Sequence, residues 1–346
     1  MSDLASDVAS IDILTNIDLL RNTRAPVEAR REAARYLAAH PNKVALPVMI
    51  RALEDPDFDI RKHALTACEA FLSPLSVEAL IKVLRERTFS EREDAARILG
   101  KIRDRRAVQP VADALLYSDW MAIRSTAALA LGEIGSPEGV GPLIEALGDF
   151  EAPVRTSVAD ALGQLKDVRA VGPLVEGMKK EKGWHIRHFA SALANLGEAA
   201  LMPLIAELAN MSVPQAQREL LAETLADIII HLSHPEDAQA AIKLTVDLLV
   251  AELPTRDEGI RSYVARAALT RMSHVISDHL INAFASQNQA LRDQVAYILG
   301  DSQDPALNDK LITALRVANE QVAAGAARVL YFRGIDPRDY DYSGAL

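Results

Sequence analysis

Nine arginines fall on one register of this chain: Arg30, Arg61, Arg92, Arg124, Arg155, Arg187, Arg218, Arg261 and Arg292, with Ala323 in the tenth place. Successive members are 31 or 32 residues apart, except for 43 between Arg218 and Arg261. A fixed period of this length marks stacked copies of one small unit, each too small to bury its apolar face alone. A stack of that kind grows by adding units, so 346 residues need not mean separate globular cores.

Taking the arginine as position 0, positions +3, +4, +6 and +7 are apolar, the spacing of one buried helical face. They are Ala95, Ala96, Ile98 and Leu99 after Arg92, and Val158, Ala159, Ala161 and Leu162 after Arg155. Position +8 is glycine four times, at Gly100, Gly132, Gly163 and Gly300, marking either the helix end or a tight contact. A second helix precedes each arginine, with the pattern Val-x-Pro-Leu-Ile at Val140–Ile144 and related runs around Pro110, Pro173 and Pro203. Proline is tolerated in a first helical turn, where its missing N–H has no partner to lose. Each unit is therefore helix A, a short turn, then helix B, with Asp57, Asp119 and Asp149 placed to cap helix B.

The run Leu131-Gly132-Glu133-Ile134-Gly135-Ser136-Pro137-Glu138-Gly139-Val140-Gly141-Pro142-Leu143-Ile144-Glu145-Ala146-Leu147 resembles the HEAT family of repeats. It is most like the short bacterial form of the phycobilisome (bilin) lyases. The resemblance spans roughly residues 25–335 and implies an all-α fold: a right-handed α-solenoid (superhelix) of about ten two-helix repeats. The expected layout is about seven repeats over 1–230, further repeats over 231–335 after an enlarged one, and a tail over 336–346. In the enlarged interval a longer helix A is expected over about Glu236–Leu253, followed by a loop at Pro254–Gly259.

Bulk chemistry narrows the function. The formal charge of −10 opposes a sequence-independent nucleic-acid footprint, including the basic face used by DNA glycosylases built on HEAT-like repeats. One cysteine, Cys68, excludes a disulfide framework, and its place at +7 of its repeat marks a buried small hydrophobe. The N-terminal residues lack the basic and apolar regions of a signal peptide, and no stretch is apolar enough to span a membrane, so a cytoplasmic location is expected. His185/His188 and His231/His234 have helical spacing for two metal ligands, but no third ligand joins either pair, so no metal and no cofactor is expected. No phosphate-binding or nucleophile motif is present.

The arginine column reads as a buried ladder between repeats, since its members can pair with turn aspartates and helix carbonyls of neighbouring units. Positions +1, +2 and +5 of helix B face the concave side that a HEAT-like fold implies. They are polar in early repeats (Arg31, Glu32, Arg35; Lys62, His63; Glu93, Asp94, Arg97). Around Leu129, Asp160, His188, Phe189, Leu220, Tyr263, Arg266 and Tyr297 they turn aromatic and apolar, a candidate partner groove. A second series, Phe58, Phe89, Trp120, Phe150 and Trp184, sits on the A–B turns. It reads first as a repeated hydrophobic staple, and otherwise as a turn ridge (Phe58, Phe89, Trp120, Trp184) that docks a peptide. The leading expectation is a non-catalytic scaffold or adaptor for a protein partner. A bilin lyase or tetrapyrrole-handling chaperone is the alternative that the resemblance implies, and a nucleic-acid module is the one that the charge disfavours.

Overall fold

The computed structural model describes residues 2–86, 88–210, 212–253, 260–316 and 319–340. Of the side chains within this range, those of 2–11, 89, 252 and 260–264 lie outside the description. The fold is an all-α solenoid, helix pair after helix pair, with no strand among the described residues. Contacts divide it into two compact units, Met1–Gly177 and Met178–Leu346.

In the first unit the A helices are α1 (Ser2–Arg21), α3 (Leu46–Ala52), α5 (Val77–Glu86), α7 (Val108–Tyr117), α9 (Val140–Ala146) and α11 (Val171–Lys180), the last running across the boundary. The B helices are α2 (Val27–Ala39), α4 (Phe58–Phe71), α6 (Phe89–Ile102), α8 (Met121–Ile134) and α10 (Ala152–Leu165). Helix α1 precedes the stretch in which the repeat is legible. It supplies helix A of the first pair, burying Ile17 and Leu20.

Small residues at +3 and +4, such as Ala95, Ala96, Ala127 and Ala128, are fully buried and let successive B helices approach closely. In the first unit Gly100 and Gly132 at +8 mark that approach and not the helix end, whereas Gly300 closes α17, where an added Cβ would meet nothing within 4 Å. A Cβ built on Gly100 would lie 2.8 Å from Ala130 Cα, and one on Gly132 would lie 2.9 Å from Ala161 Cα. The helix ends three residues later, at +11, where Leu72, Arg103, Gly135 and Lys166 take the left-handed conformation (φ 46°, 59°, 74° and 53°). Only one of the four is glycine, although a Cβ costs about 1 kcal/mol there. Lys166→Gly, at an exposed position, is therefore expected to stabilise the first unit by about 0.5–1 kcal/mol, read as a raised urea midpoint with unchanged slope.

The second unit continues with α12 (Ile186–Leu196), α13 (Glu198–Ala209), α14 (Gln215–Ile230), α15 (Gln239–Glu252), α16 (Ile260–Ala283), α17 (Gln289–Gly300), α18 (Leu307–Ala314) and α19 (Glu320–Phe332). Two expectations change here. Helix α16 runs unbroken for 24 residues where a helix B, a turn and a helix A were expected. The stretch contains neither glycine nor proline, so nothing stops the first helix before the second begins. Pro203 lies inside α13 instead of in its first turn, because Glu198–Ala200 are α-helical where the earlier repeats form a separate 3-10 turn. The expected loop at 254–259 and the last six residues lie outside the described residues. The described part of the tail is ordered: Gly334 occupies +11 after Ala323 with φ 80°, and Pro337–Tyr340 forms a 3-10 turn. Residues 334–340 thus repeat the turn that elsewhere leads into a helix A.

Candidate functional site

The two edges of the first unit have different chemistry. On the B–A turns, Asp104 and Asp167 each accept the backbone N–H two residues on, at 3.0 Å, and grip the guanidinium of the same residue, Arg106 or Arg169. Those guanidinia also reach the preceding turn, Arg106 to the Pro74 carbonyl at 2.9 Å and Arg169 to the Pro137 carbonyl at 3.0 Å. The hydrogen bonds from Arg169 hold the Asp167 carboxyl down at about 2. Asp336 and Arg338 repeat the motif in the second unit, again with the carboxyl at about 2. This edge is stitched to itself, and its polar groups are occupied.

The arginine column seals the A–B turns from behind. Arg124 is buried. Its Nε and Nη2 donate to the two oxygens of Asp149 at 2.6 and 3.0 Å, and its Nη1 donates to the Ser118 carbonyl at 3.0 Å. Arg61 pairs with Glu91 at 2.5 Å and donates to the carbonyls of Asp55 and Pro56. Arg30 pairs with Asp55, while Arg155 and Arg292 each reach the carbonyl six residues back. These members form a structural ladder, from which Arg187 departs with its side chain 73% exposed, while the side chain of Arg261 lies outside the described residues. The ladder gives the turn aspartates distinct duties. Asp57 caps α4 through the Ile60 N–H, with its carboxyl lowered by the hydrogen bond from Arg31. Asp149 serves the arginine, and α10 starts from Glu151 instead. The N-cap of α8 is Trp120, not Asp119.

Outside this seal lie the aromatics. Phe58 is 45% exposed, Trp120 56%, Phe150 78% and, in the second unit, Trp184 63%. Groups this exposed do not serve as hydrophobic staples. Arg61 sits 5.8 Å from the Phe58 ring centre, and Arg124 sits 4.6 Å from that of Phe150, so the buried ladder holds the rings from the inner side. The Phe89 side chain lies outside the described residues.

The helix B face gives a mixed result. In the early repeats it is paired with itself: Arg31 with Asp57 at 2.7 Å, Lys101 with Glu69 at 2.8 Å, and Arg97 with Asp94 at 2.6 Å and also with Glu69. Of the later residues, Leu129 is exposed, Asp160, His188 and Leu220 are half-buried, and Tyr263 lies outside the described side chains. Phe189 is fully buried and belongs to the core, because its ring sits on the apolar stripe that also carries Leu193 and Leu196. Arg266 and Tyr297 do come together, with the guanidinium 5.5 Å from a ring that is 60% exposed. His188 meets Trp184 edge-on at 5.6 Å. Cys68 is buried, and burial pushes its thiol up to about 12, so little thiolate exists at neutral pH.

Two grooves were not anticipated. One, of about 490 Å3, opens between successive A–B turns of the first unit, at Tyr117, Asp119, Glu145 and Phe150 over the Arg124–Asp149 pair. The other, of about 800 Å3, lies between α17 and α19, floored by Phe284 and flanked by Tyr331 and Phe332. The first had a signal in the sequence: seven residues before the column position stand Thr23, Glu54, Arg85, Gly148, Lys180, Met211, Pro254, Ala285 and Arg316 in the other repeats, and Tyr117 is the one aromatic there.

The family description "HEAT repeats" matches residues 13–97, 77–154 and 140–226, more than half of the chain. No curated protein matches it. Among solved structures, Kap121p bound to Nup53p aligns with a TM-score of 0.53 at 12% identity, over 95% of this chain and 41% of Kap121p. An engineered protein aligns at 0.44 and 20% identity, over 94% of this chain and 99% of that one. The complex of CpcE and CpcF of phycocyanin lyase from Nostoc sp. PCC7120 aligns at 0.40 and 19% identity, over 66% of this chain and 94% of that one. These likenesses concern the fold.

Proposed function

The chain belongs to the HEAT-repeat family, and from that premise we propose that it is a non-catalytic scaffold holding a protein or peptide partner on the A–B turn edge of its first unit. The observation that carries this reading is the set of exposed rings at Phe58, Trp120 and Phe150, repeated with the repeat, two of them, Phe58 and Phe150, braced by buried arginines. Aromatics that a rigid scaffold holds in solvent lose little side-chain entropy on binding, which favours them as interface anchors. Among the described residues the opposite edge of the first unit exposes aliphatic groups, Leu75 and Val168, but no Phe, Tyr or Trp, and its turns are hydrogen-bonded to one another.

A second reading places the partner on the helix B face of the second unit, around Arg266 and Tyr297. It rests on their cation–π pair and on the exposure of Tyr297. One experiment separates the two. A Trp120→Ala/Phe150→Ala variant and a Tyr297→Ala variant are compared with the wild type in pull-downs from the native lysate, with circular dichroism confirming equal helicity. The turn-edge reading expects a partner that the wild type and Tyr297→Ala recover and the turn variant loses, by about thirtyfold or more if two ring anchors are removed. Loss in Tyr297→Ala alone moves the site to the second unit, and equal recovery by all three removes both surfaces.

A further inference from the structure

The groove between the A–B turns at 117–120 and 148–150 says what the partner brings. Its walls are two rings, Tyr117 and Phe150, both more than three-quarters exposed. Its charged rim is Asp119 and Glu145, both exposed and neither ion-paired with a described residue. The one cation in the lining, Arg124, is buried and already bidentate to Asp149, so it leaves the rim negative. The same guanidinium stands 4.6 Å from the Phe150 ring centre and holds that ring in the groove wall.

Aromatic faces flanking unpaired carboxylates form a receptor for an organic cation. The ring quadrupoles attract it and shed water from its alkyl stem, while the carboxylates accept its N–H groups. A neutral apolar residue would leave Asp119 and Glu145 unmatched, and an acidic one would be repelled by them. We propose that this groove takes an arginine or lysine side chain from a basic segment of the partner. The assignment rests on the scaffold reading for its biological sense, but the groove's preference is a property of this chain and can be measured alone. About 490 Å3 suits one long side chain and its flanking backbone and no larger fold.

The test uses the full chain with 4-fluorophenylalanine at position 150 and two small probes, Nα-acetyl-arginine amide and its neutral near-isostere Nα-acetyl-citrulline amide. The expected result is a saturable fluorine shift with the arginine probe and binding at least about tenfold weaker for citrulline. D119N/E145Q is expected to weaken the arginine probe by about tenfold or more. Tyr117→Ala, which keeps every charge, weakens it less but measurably. A control variant neutralising two exposed acids away from the groove, Glu198→Gln/Asp309→Asn, is expected to leave the titration unchanged. The proposal is overturned by the absence of a saturable shift, by equal titration with citrulline, or by an unchanged titration in D119N/E145Q. Failure here is separable from failure of the scaffold reading. A partner lost by Trp120→Ala/Phe150→Ala yet fully kept by D119N/E145Q removes the cation and leaves the scaffold.

Discussion

Gly132→Ala is expected to destabilise the first unit by about 2 kcal/mol, while the same change at Gly300, the same place in a later repeat, stabilises the second by about 0.5 kcal/mol. A methyl on Gly132 would meet Ala161 Cα at 2.9 Å and Cβ at 3.0 Å, with the Gln164 side chain at 2.8 Å. The glutamine can swing away, but the α10 backbone cannot move without opening the B–B packing. Overpacking of that kind costs roughly 3 kcal/mol, and the better helix propensity of alanine returns about 1. At Gly300 nothing lies within 4 Å, so only the propensity gain remains, reduced by its place at the helix end. Urea midpoints of the two variants check the sign at each site. A shift of the same sign in both would remove the close approach as the reason for the glycine column.

Arg124→Met is expected to cost about 3–5 kcal/mol, the effect of leaving a buried carboxylate without its partner. The side chains of Arg124 and Asp149 are 4% and 8% exposed and joined by two hydrogen bonds, and the Ser118 carbonyl loses its donor as well. Replacing both members, as Arg124→Met/Asp149→Leu, should recover most of the loss, because the cost lies in the orphaned charge and not in the absence of the pair. Arg187 makes the control: its side chain is 73% exposed, 3.9 Å from Glu223, and Arg187→Met should change stability by less than about 0.5 kcal/mol. Equal losses at Arg124 and Arg187 would show that the column acts through charge alone. Double-mutant urea titrations decide between these outcomes.

These two sites also show what the sequence could and could not convey. The period and the helix pairs follow from spacing, because each repeat imposes the same packing problem on the same register, whereas the ladder role of the arginines is what the HEAT resemblance and the nearby turn aspartates imply. Glycine at +8 leaves a helix end and a tight contact open, and in the first unit the contact holds, at Gly100 and Gly132. The terminating left-handed residue at +11 is leucine, arginine or lysine in three of the four first-unit B helices in question. The fusion of two helices in α16 depended on what is missing, a breaker between Ile260 and Ala283, which a periodic template supplies by assumption. Phe189 was misassigned because the register slips at α12, where a 3-10 turn at Gly183–His185 precedes the helix and rotates its first residues. The acid-rimmed groove left one signal, the lone aromatic Tyr117, and its full lining was not legible for another reason. It is made by turns a full repeat apart, and nothing in a single turn reveals that Tyr117 and Glu145 share a cavity.

The long helix α16 has a mechanical consequence. Elsewhere a turn between helix B and the next helix A acts as a joint, and a stack pulled from its end can surrender one hairpin at a time. A 24-residue helix is a strut of about 36 Å with no joint along it. It packs on α14 and α15 before it and on α17 and α18 after it, with Arg271 reaching Asp227 of α14, Arg266 reaching Gln294 of α17 and Ser277 accepting from Lys310 of α18. Tension applied at the C-terminal end therefore cannot release the rear hairpin without loading the forward one through a rigid rod. In single-molecule extension, the repeats spanned by α16 leave together as one long rip among shorter steps.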